Sequence, residues 1–215
     1  MQNELLTRGS AKFLRAYDKP EDIIKWFEAN PAPGLAMAGR SNVGKSSLIN
    51  ALFGPKTART SKTPGRTQKI NIFSFEVKGE DEQIQKFYLY DLPGYGFAQV
   101  SKSMLRNWQE LMTSFFLNLN DQTLVLNIQD ARHPNQKSDL SFYDFIDPKY
   151  VDIFLAFNKI DKLKKQKEKA ALKNLKAKIY EQYKAVKQIH FISAEKRTGC
   201  PELEYAIGSY LLSKL

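Results

Sequence analysis

Eight consecutive residues, Gly39-Arg40-Ser41-Asn42-Val43-Gly44-Lys45-Ser46, have the spacing GxxxxGKS, which suits a chain of phosphates. The two glycines allow turns that a side chain would block. The N–H groups of such a loop point inward as an anion nest, backed by the positive end of the following helix. Lys45 neutralises the terminal phosphates, and the Ser46 hydroxyl offers magnesium the oxygen that this hard cation prefers. Two further segments carry matching chemistry. In Asp91-Leu92-Pro93-Gly94 the carboxylate supports magnesium through a water, and Gly94 offers a backbone N–H to the last phosphate. In Asn158-Lys159-Ile160-Asp161 the carboxylate can accept both the ring N–H and the exocyclic amine of guanine. Adenine lacks that donor pair, so Asp161 selects GTP over ATP, while the stem of Lys159 covers the base. Backbone N–H groups around Ile192, Ser193 and Ala194 are expected at the guanine carbonyl. A small-molecule kinase sharing the phosphate loop would have no use for Asp161.

These segments need a scaffold that presents them together. Gly34 to Ala38 is short and apolar, a buried strand; Ser47 to Phe53 is apolar at helical spacing and is closed by Gly54 and Pro55. Lys69 to Val77 alternates as a strand, and a short turn at 79–82 joins it to a strand at Phe87–Tyr90, so the two form an antiparallel hairpin. Helices are predicted at 101–117, 136–146, 162–184 and 201–212, with strands at 123–128, 151–157 and 189–192. This alternation predicts an α/β fold: a three-layer domain with a mostly parallel sheet, one antiparallel strand and helices on both faces. Ligands of such sheets sit at the carboxyl ends of the strands, where every segment above falls. The domain spans 34–215; residues 1–33 are an extension whose short helix starts near Asp18-Lys19-Pro20-Glu21 and packs on it. Residues 54–68 have no apolar periodicity and are predicted to be a mobile loop, and Tyr95 to Ala98 opens a second one.

The chain has 215 residues and a net charge of +10, an excess that favours a polyanionic partner. The lone Cys200 cannot form an intrachain disulfide, there is no signal-peptide pattern, and no apolar run is long enough to span a membrane. A cytoplasmic location is expected. Lysines at 162, 164, 165, 167, 169, 173, 176 and 178 form a basic ridge, either a solvated helix face or a contact for RNA phosphates.

The phosphate loop, Thr63-Pro64-Gly65-Arg66-Thr67-Gln68, Asp91-Leu92-Pro93-Gly94-Tyr95-Gly96-Phe97-Ala98, and Asp130-Ala131-Arg132-His133-Pro134 with Asp139 together resemble the EngB family of bacterial ribosome-assembly GTPases. The resemblance covers nearly the whole chain. It implies a phosphate-loop GTPase domain and a nucleotide-dependent switch that acts as a monomer in assembly of the large ribosomal subunit, in contact with ribosomal RNA and needed for normal cell division. The alternative is a cell-division factor that uses GTP to choose partners independently of the ribosome. By the same resemblance, Gly65, Arg66, Thr67, Gln68 and Lys69 touch the nucleotide. Thr67 is the magnesium-binding threonine, with Thr63 a nearby competitor for that role. Tyr95 stands where a Ras-like enzyme carries a water-orienting glutamine, so intrinsic hydrolysis is expected to be slow. Similar GTPases with asparagine at the position of Asn42 hold a potassium ion beside the phosphates, and Asn42 is expected to do so here. Lys45, Thr67 and Asn42 are thus the expected catalytic residues. Arg132 and His133 form either a hydrogen-bonded corner for the helix at 136–146 or a partner contact.

Overall fold

The computed structural model describes residues 5–58, 69–79, 81–96, 101–146 and 151–215. Its centre is a seven-stranded sheet in the order β1-β3-β4-β2-β5-β6-β7. The strands are β1 (Lys12–Tyr17), β2 (Gly34–Gly39), β3 (Ile70–Lys78), β4 (Ile84–Asp91), β5 (Leu124–Asp130), β6 (Ile153–Asn158) and β7 (Val186–Phe191). β2 pairs in parallel with β4 and β5, and β5, β6 and β7 continue in parallel. β3 pairs antiparallel with both β1 and β4, so it alone runs against the rest. The helices are α1 (Pro20–Ala29), α2 (Lys45–Phe53), α3 (Lys102–Asn118), α4 (Lys137–Phe145), α5 (Gln166–Gln182) and α6 (Cys200–Leu212).

Alternation along the strands builds two cores. Leu35 and Met37 of β2, Phe87 and Leu89 of β4, and Leu124, Leu126 and Ile128 of β5 join Leu48 and Leu52 of α2 and Leu203 and Ile207 of α6. Their sequence neighbours Ala36, Ala38, Tyr90 and Val125 face the other way, toward Ile23 of α1, Phe115 of α3, Phe142 of α4 and Leu172 and Ile179 of α5. Trp108 and Phe116 pack on the edge of this second core. The short segments expected as strands are therefore buried on both faces.

Two elements differ from expectation. Residues 12–17 add an outer strand, β1, beyond the expected helix. The register shifts between Phe13 and Arg15, which breaks the alternation that marks a strand. The single helix expected over 162–184 is instead a 3-10 turn at Ile160–Lys162 followed by α5. The Ile160 N–H is drawn to the Ile192 carbonyl at 3.2 Å, and Glu168 Oε2 accepts the N–H groups of Lys164 and Lys165 at 3.0 and 2.9 Å. The helix can start only beyond that cap.

Candidate functional site: a nucleotide cradle at the strand ends

β2 ends at Gly39 in the loop, and α2 begins at Lys45. Gly44 caps α2 with φ +96°, and a β-carbon there would run into Asn158 Nδ2. Gly39 is confined as well, since a β-carbon would stand 2.7 Å from the Ile128 carbonyl oxygen. Asn42 has φ 65° and an exposed side chain. Both glycines are thus required by space, and Gly44 also by conformation.

Asn158 ties three segments together. Its Nδ2 donates to the Val43 carbonyl at 3.0 Å, and its Oδ1 accepts the N–H groups of Lys159 at 2.8 Å and Ala194 at 3.0 Å. Lys159 has φ 68°, and its ammonium donates to the Asn42 carbonyl at 2.6 Å and to Asp130 Oδ2 at 2.9 Å. Asp161 lies beside the last of these segments: Ser193 Oγ donates to its Oδ1 at 2.7 Å, and Lys162 stands 3.1 Å from its Oδ2. Those contacts, led by the Ser193 hydrogen bond, hold the Asp161 carboxyl below its ordinary range, so it is an acceptor at neutral pH. Ile192 and Ser193 are buried where β7 ends.

On the phosphate side, Lys45 is ion-paired with Asp91, whose other oxygen lies 3.4 Å from Asn71 Nδ2. Nothing in the sequence marks Asn71; it comes into range because β3 pairs Asn71 with Asp91. Ser46 follows Lys45 in the first turn of α2. Leu92 N–H donates to the Met37 carbonyl at 3.2 Å, which carries the turn through Pro93 to Gly94. A β-carbon on Gly94 would stand 3.1 Å from Ser41 Oγ, so this segment lies directly against the loop. The donors on offer to a cation are all oxygens, which suits magnesium.

Gly65, Arg66, Thr67 and Gln68, and Thr63 with them, lie outside the described residues, as does the greater part of the loop expected at 54–68. Lys69 is described, and its ammonium pairs with Asp18 at 2.9 Å. Tyr95 departs from the expected mobile loop. It is buried and stacked on Phe142 at 4.5 Å, with its hydroxyl pointing into the interior to Asp139 and Asn127. Burial, with the Asp139 charge beside it, pushes this phenol well above its ordinary value. Phe97 and Ala98 lie outside the described residues.

The β5–α4 corner is held by several hydrogen bonds, although the buried Asn135 Oδ1 has no partner among the described residues. Asp130 accepts the backbone N–H and both guanidinium arms of Arg132, and the His133 carbonyl accepts from Arg40 at 2.9 Å. Burial alone would raise the Asp130 carboxyl, but Arg132 and Lys159 outweigh it and hold the group below the usual carboxylate range. Burial pushes the Cys200 thiol, 3.7 Å from the Ser193 carbonyl, up to about 11 and pulls His190 down to about 4.

A mostly parallel sheet whose strand ends gather a phosphate loop, a DxxG turn and an NKxD turn defines a phosphate-loop GTPase. The family model described as "50S ribosome-binding GTPase" matches residues 35–159, more than half of the chain. The probable GTP-binding protein EngB of Brucella melitensis is 38% identical over 212 residues, covering 98% of this chain and 86% of that protein. Its counterpart in Bartonella quintana is 38% identical over 186 residues, 86% of each chain. Among solved structures, a probable GTP-binding protein EngB superposes with TM-score 0.58 at 26% identity, over 85% of this chain and all of that one. Era in complex with MgGDPNP and a segment of 16S ribosomal RNA superposes with TM-score 0.66 at 26% identity over 83% of this chain, which spans only 57% of the Era chain. This chain belongs to the EngB family of GTP-binding proteins. It is a GTPase.

Proposed function

We propose that this protein is a slow GTPase switch that joins the large ribosomal subunit or its precursor in the GTP state and leaves after hydrolysis, and that normal cell division depends on this step. The observation that carries the switch is the single side chain of Asn158, which joins the phosphate loop to both guanine-reading segments. Lys45 neutralises the terminal phosphates as they displace it from Asp91, and Gly94 donates its N–H to the third phosphate. Ser46 and Thr67 hold magnesium directly and Asp91 through a water; the ion supplies charge neutralisation on the phosphate oxygens. Gly65, Arg66, Gln68 and Lys69 line the phosphates beside Thr67. Asp161 reads the base, Lys159 covers it, and Ile192, Ser193 and Ala194 bound its carbonyl edge. Slow turnover is supported by the inward hydroxyl of Tyr95, which is committed to Asp139 and Asn127 and is not free to orient a water. Asn42 holds a potassium ion beside the phosphates; equal turnover in potassium and sodium chloride at one ionic strength would remove that role.

The ribosomal partner is supported by the +10 charge, by the match to a family of 50S ribosome-binding GTPases and by the exposed lysines of the α5 region, Lys164, Lys165, Lys167, Lys173 and Lys178. With Leu172 and Ile179 turned to the sheet, those lysines are left free to meet RNA phosphates. Among the described residues no helix is long and apolar enough to cross a membrane. Co-sedimentation with ribosomal subunits under a GTP analogue, GDP and no nucleotide tests the reading. Association with the large subunit that needs the GTP analogue and weakens with added salt or with charge reversal of these lysines is expected. Equal sedimentation in all three states would contradict it.

A further inference from the structure

Beneath α4 the sheet changes character. β5 turns leucines and an isoleucine toward α2 and α6, but it turns Asn127 and Gln129 toward α4, and both amides are fully buried. Buried amides demand partners. Asn127 Nδ2 donates to the Tyr95 hydroxyl at 2.9 Å, and that hydroxyl donates to Asp139 Oδ1 at 3.0 Å. Arg40 Nε donates to the same Asp139 oxygen at 3.0 Å. Asp139 Oδ2 accepts the Gln136 N–H at 2.9 Å, capping α4, and Gln129 Oε1 accepts the Asn135 N–H at 2.8 Å. One fully buried carboxylate thus holds the phosphate loop, the segment after DxxG and the start of α4.

Arg40 and Tyr95 also face each other across a parallel backbone bridge. Tyr95 N–H donates to the Gly39 carbonyl at 3.3 Å, and Ser41 N–H donates to the Tyr95 carbonyl at 3.2 Å. Backbone and side chains therefore close a ring running from phosphate loop to Tyr95 to Asp139 to Arg40 and back. Gly94 is the residue that enters this ring, pressed against Ser41. The first left-handed residue after it is Gly96, φ 73°, set against Ser138 of α4.

We propose that Asp139 is a positioning residue for the third phosphate: by holding Arg40 and Tyr95 on one oxygen it fixes the Gly94 N–H, and it couples that phosphate to the seat of α4. The inference rests on the nucleotide reading above. Only GTP reaches Gly94, and a ligand can shift an equilibrium only through contacts that differ between states. Loosening the ring therefore weakens GTP binding and spares GDP, whose phosphates meet the loop alone.

Two variants test this. Tyr95→Phe keeps the ring stacked on Phe142 and removes both hydroxyl hydrogen bonds; Asp139→Asn removes the charge that holds Arg40. Each, with the wild type, is titrated with GDP and with a non-hydrolysable GTP analogue, and its melting temperature is recorded. Affinity for the analogue is expected to fall about tenfold, the scale of one hydrogen bond to a charged group, while GDP stays within about twofold. Equal losses for both nucleotides, or a lower melting temperature with both affinities intact, would overturn the proposal. Should Asp139→Asn not fold, Tyr95→Phe decides alone. A wild type that bound neither nucleotide would remove the underlying reading too, whereas a normal wild type with an unchanged ratio in the variants removes this inference only.

Discussion

Asp161 and Asp130 are both ionised carboxylates at strand ends, yet they do different work. Asp161 is aimed by Ser193 and Lys162 and keeps acceptor capacity for a base edge. Asp161→Asn offers guanine one amide donor where it needs an acceptor. We expect GTP affinity to fall on the order of hundredfold, two charged hydrogen bonds being at stake, while xanthosine triphosphate gains. Competitive titration of the two nucleotides reads this directly. Asp130 has its oxygens filled by Arg132 and Lys159. Its carboxyl is depressed in the folded chain, so its stabilisation is full above the unfolded value near 4 and is lost as pH falls toward the lower, folded value. Asp130→Asn should therefore cost about 1–2 kcal/mol at pH 7, discounted because Arg132 is half exposed, and the gap should close in acid. A gap independent of pH in denaturant melts would contradict this. The turns that meet at this edge were legible in the sequence because the proposed phosphate and guanine contacts leave few substitutes for glycine, lysine and aspartate there. Asn71 was not, because only strand register brings it to Asp91.

At the scale of elements, the strand–loop–helix unit around Gly44 is the part least able to change. A side chain there meets both a left-handed backbone and the Asn158 amide, so Gly44→Ala strains the loop and breaks the contact that joins it to the base-reading turn. We expect a loss of about 2 kcal/mol or more in stability together with near loss of nucleotide binding. Unchanged GDP affinity in that variant would show that the two halves of the cradle are independent. The central strands and helices could be read from apolar periodicity because every one is buried against a neighbour. β1 could not, because its register shifts between Phe13 and Arg15 and Phe13 is left exposed against the edge of Phe73. The start of β7 was hidden in the same way: the register slips between Ile153 and Phe154, and Lys187 and Gln188 are both exposed. Nothing in the sequence marked partners for the buried amides of β5; these come from the Tyr95 hydroxyl and from Tyr143 of α4.

Across the whole molecule, the sheet acts as a fixed bench on which one edge is chemically active. Among the described residues, the turns proposed to face nucleotide leave from the carboxyl ends of β2, β4, β6 and β7, while α5 packs beside β7 at one flank of the sheet. A guanine nucleotide seated there would bridge segments far apart in the chain, from Gly39 to Ala194, and its third phosphate would be the only part to engage Gly94. Base reading and phosphate sensing would thus take place at different points of one surface, joined through the Asn158 side chain. The most direct test is titration calorimetry of the full chain with magnesium and, in turn, GTP, GDP and ATP. The account predicts that both guanine nucleotides bind and that ATP binds at least about a hundredfold more weakly, for want of the donor pair that Asp161 accepts. ATP held as tightly as GTP would contradict it.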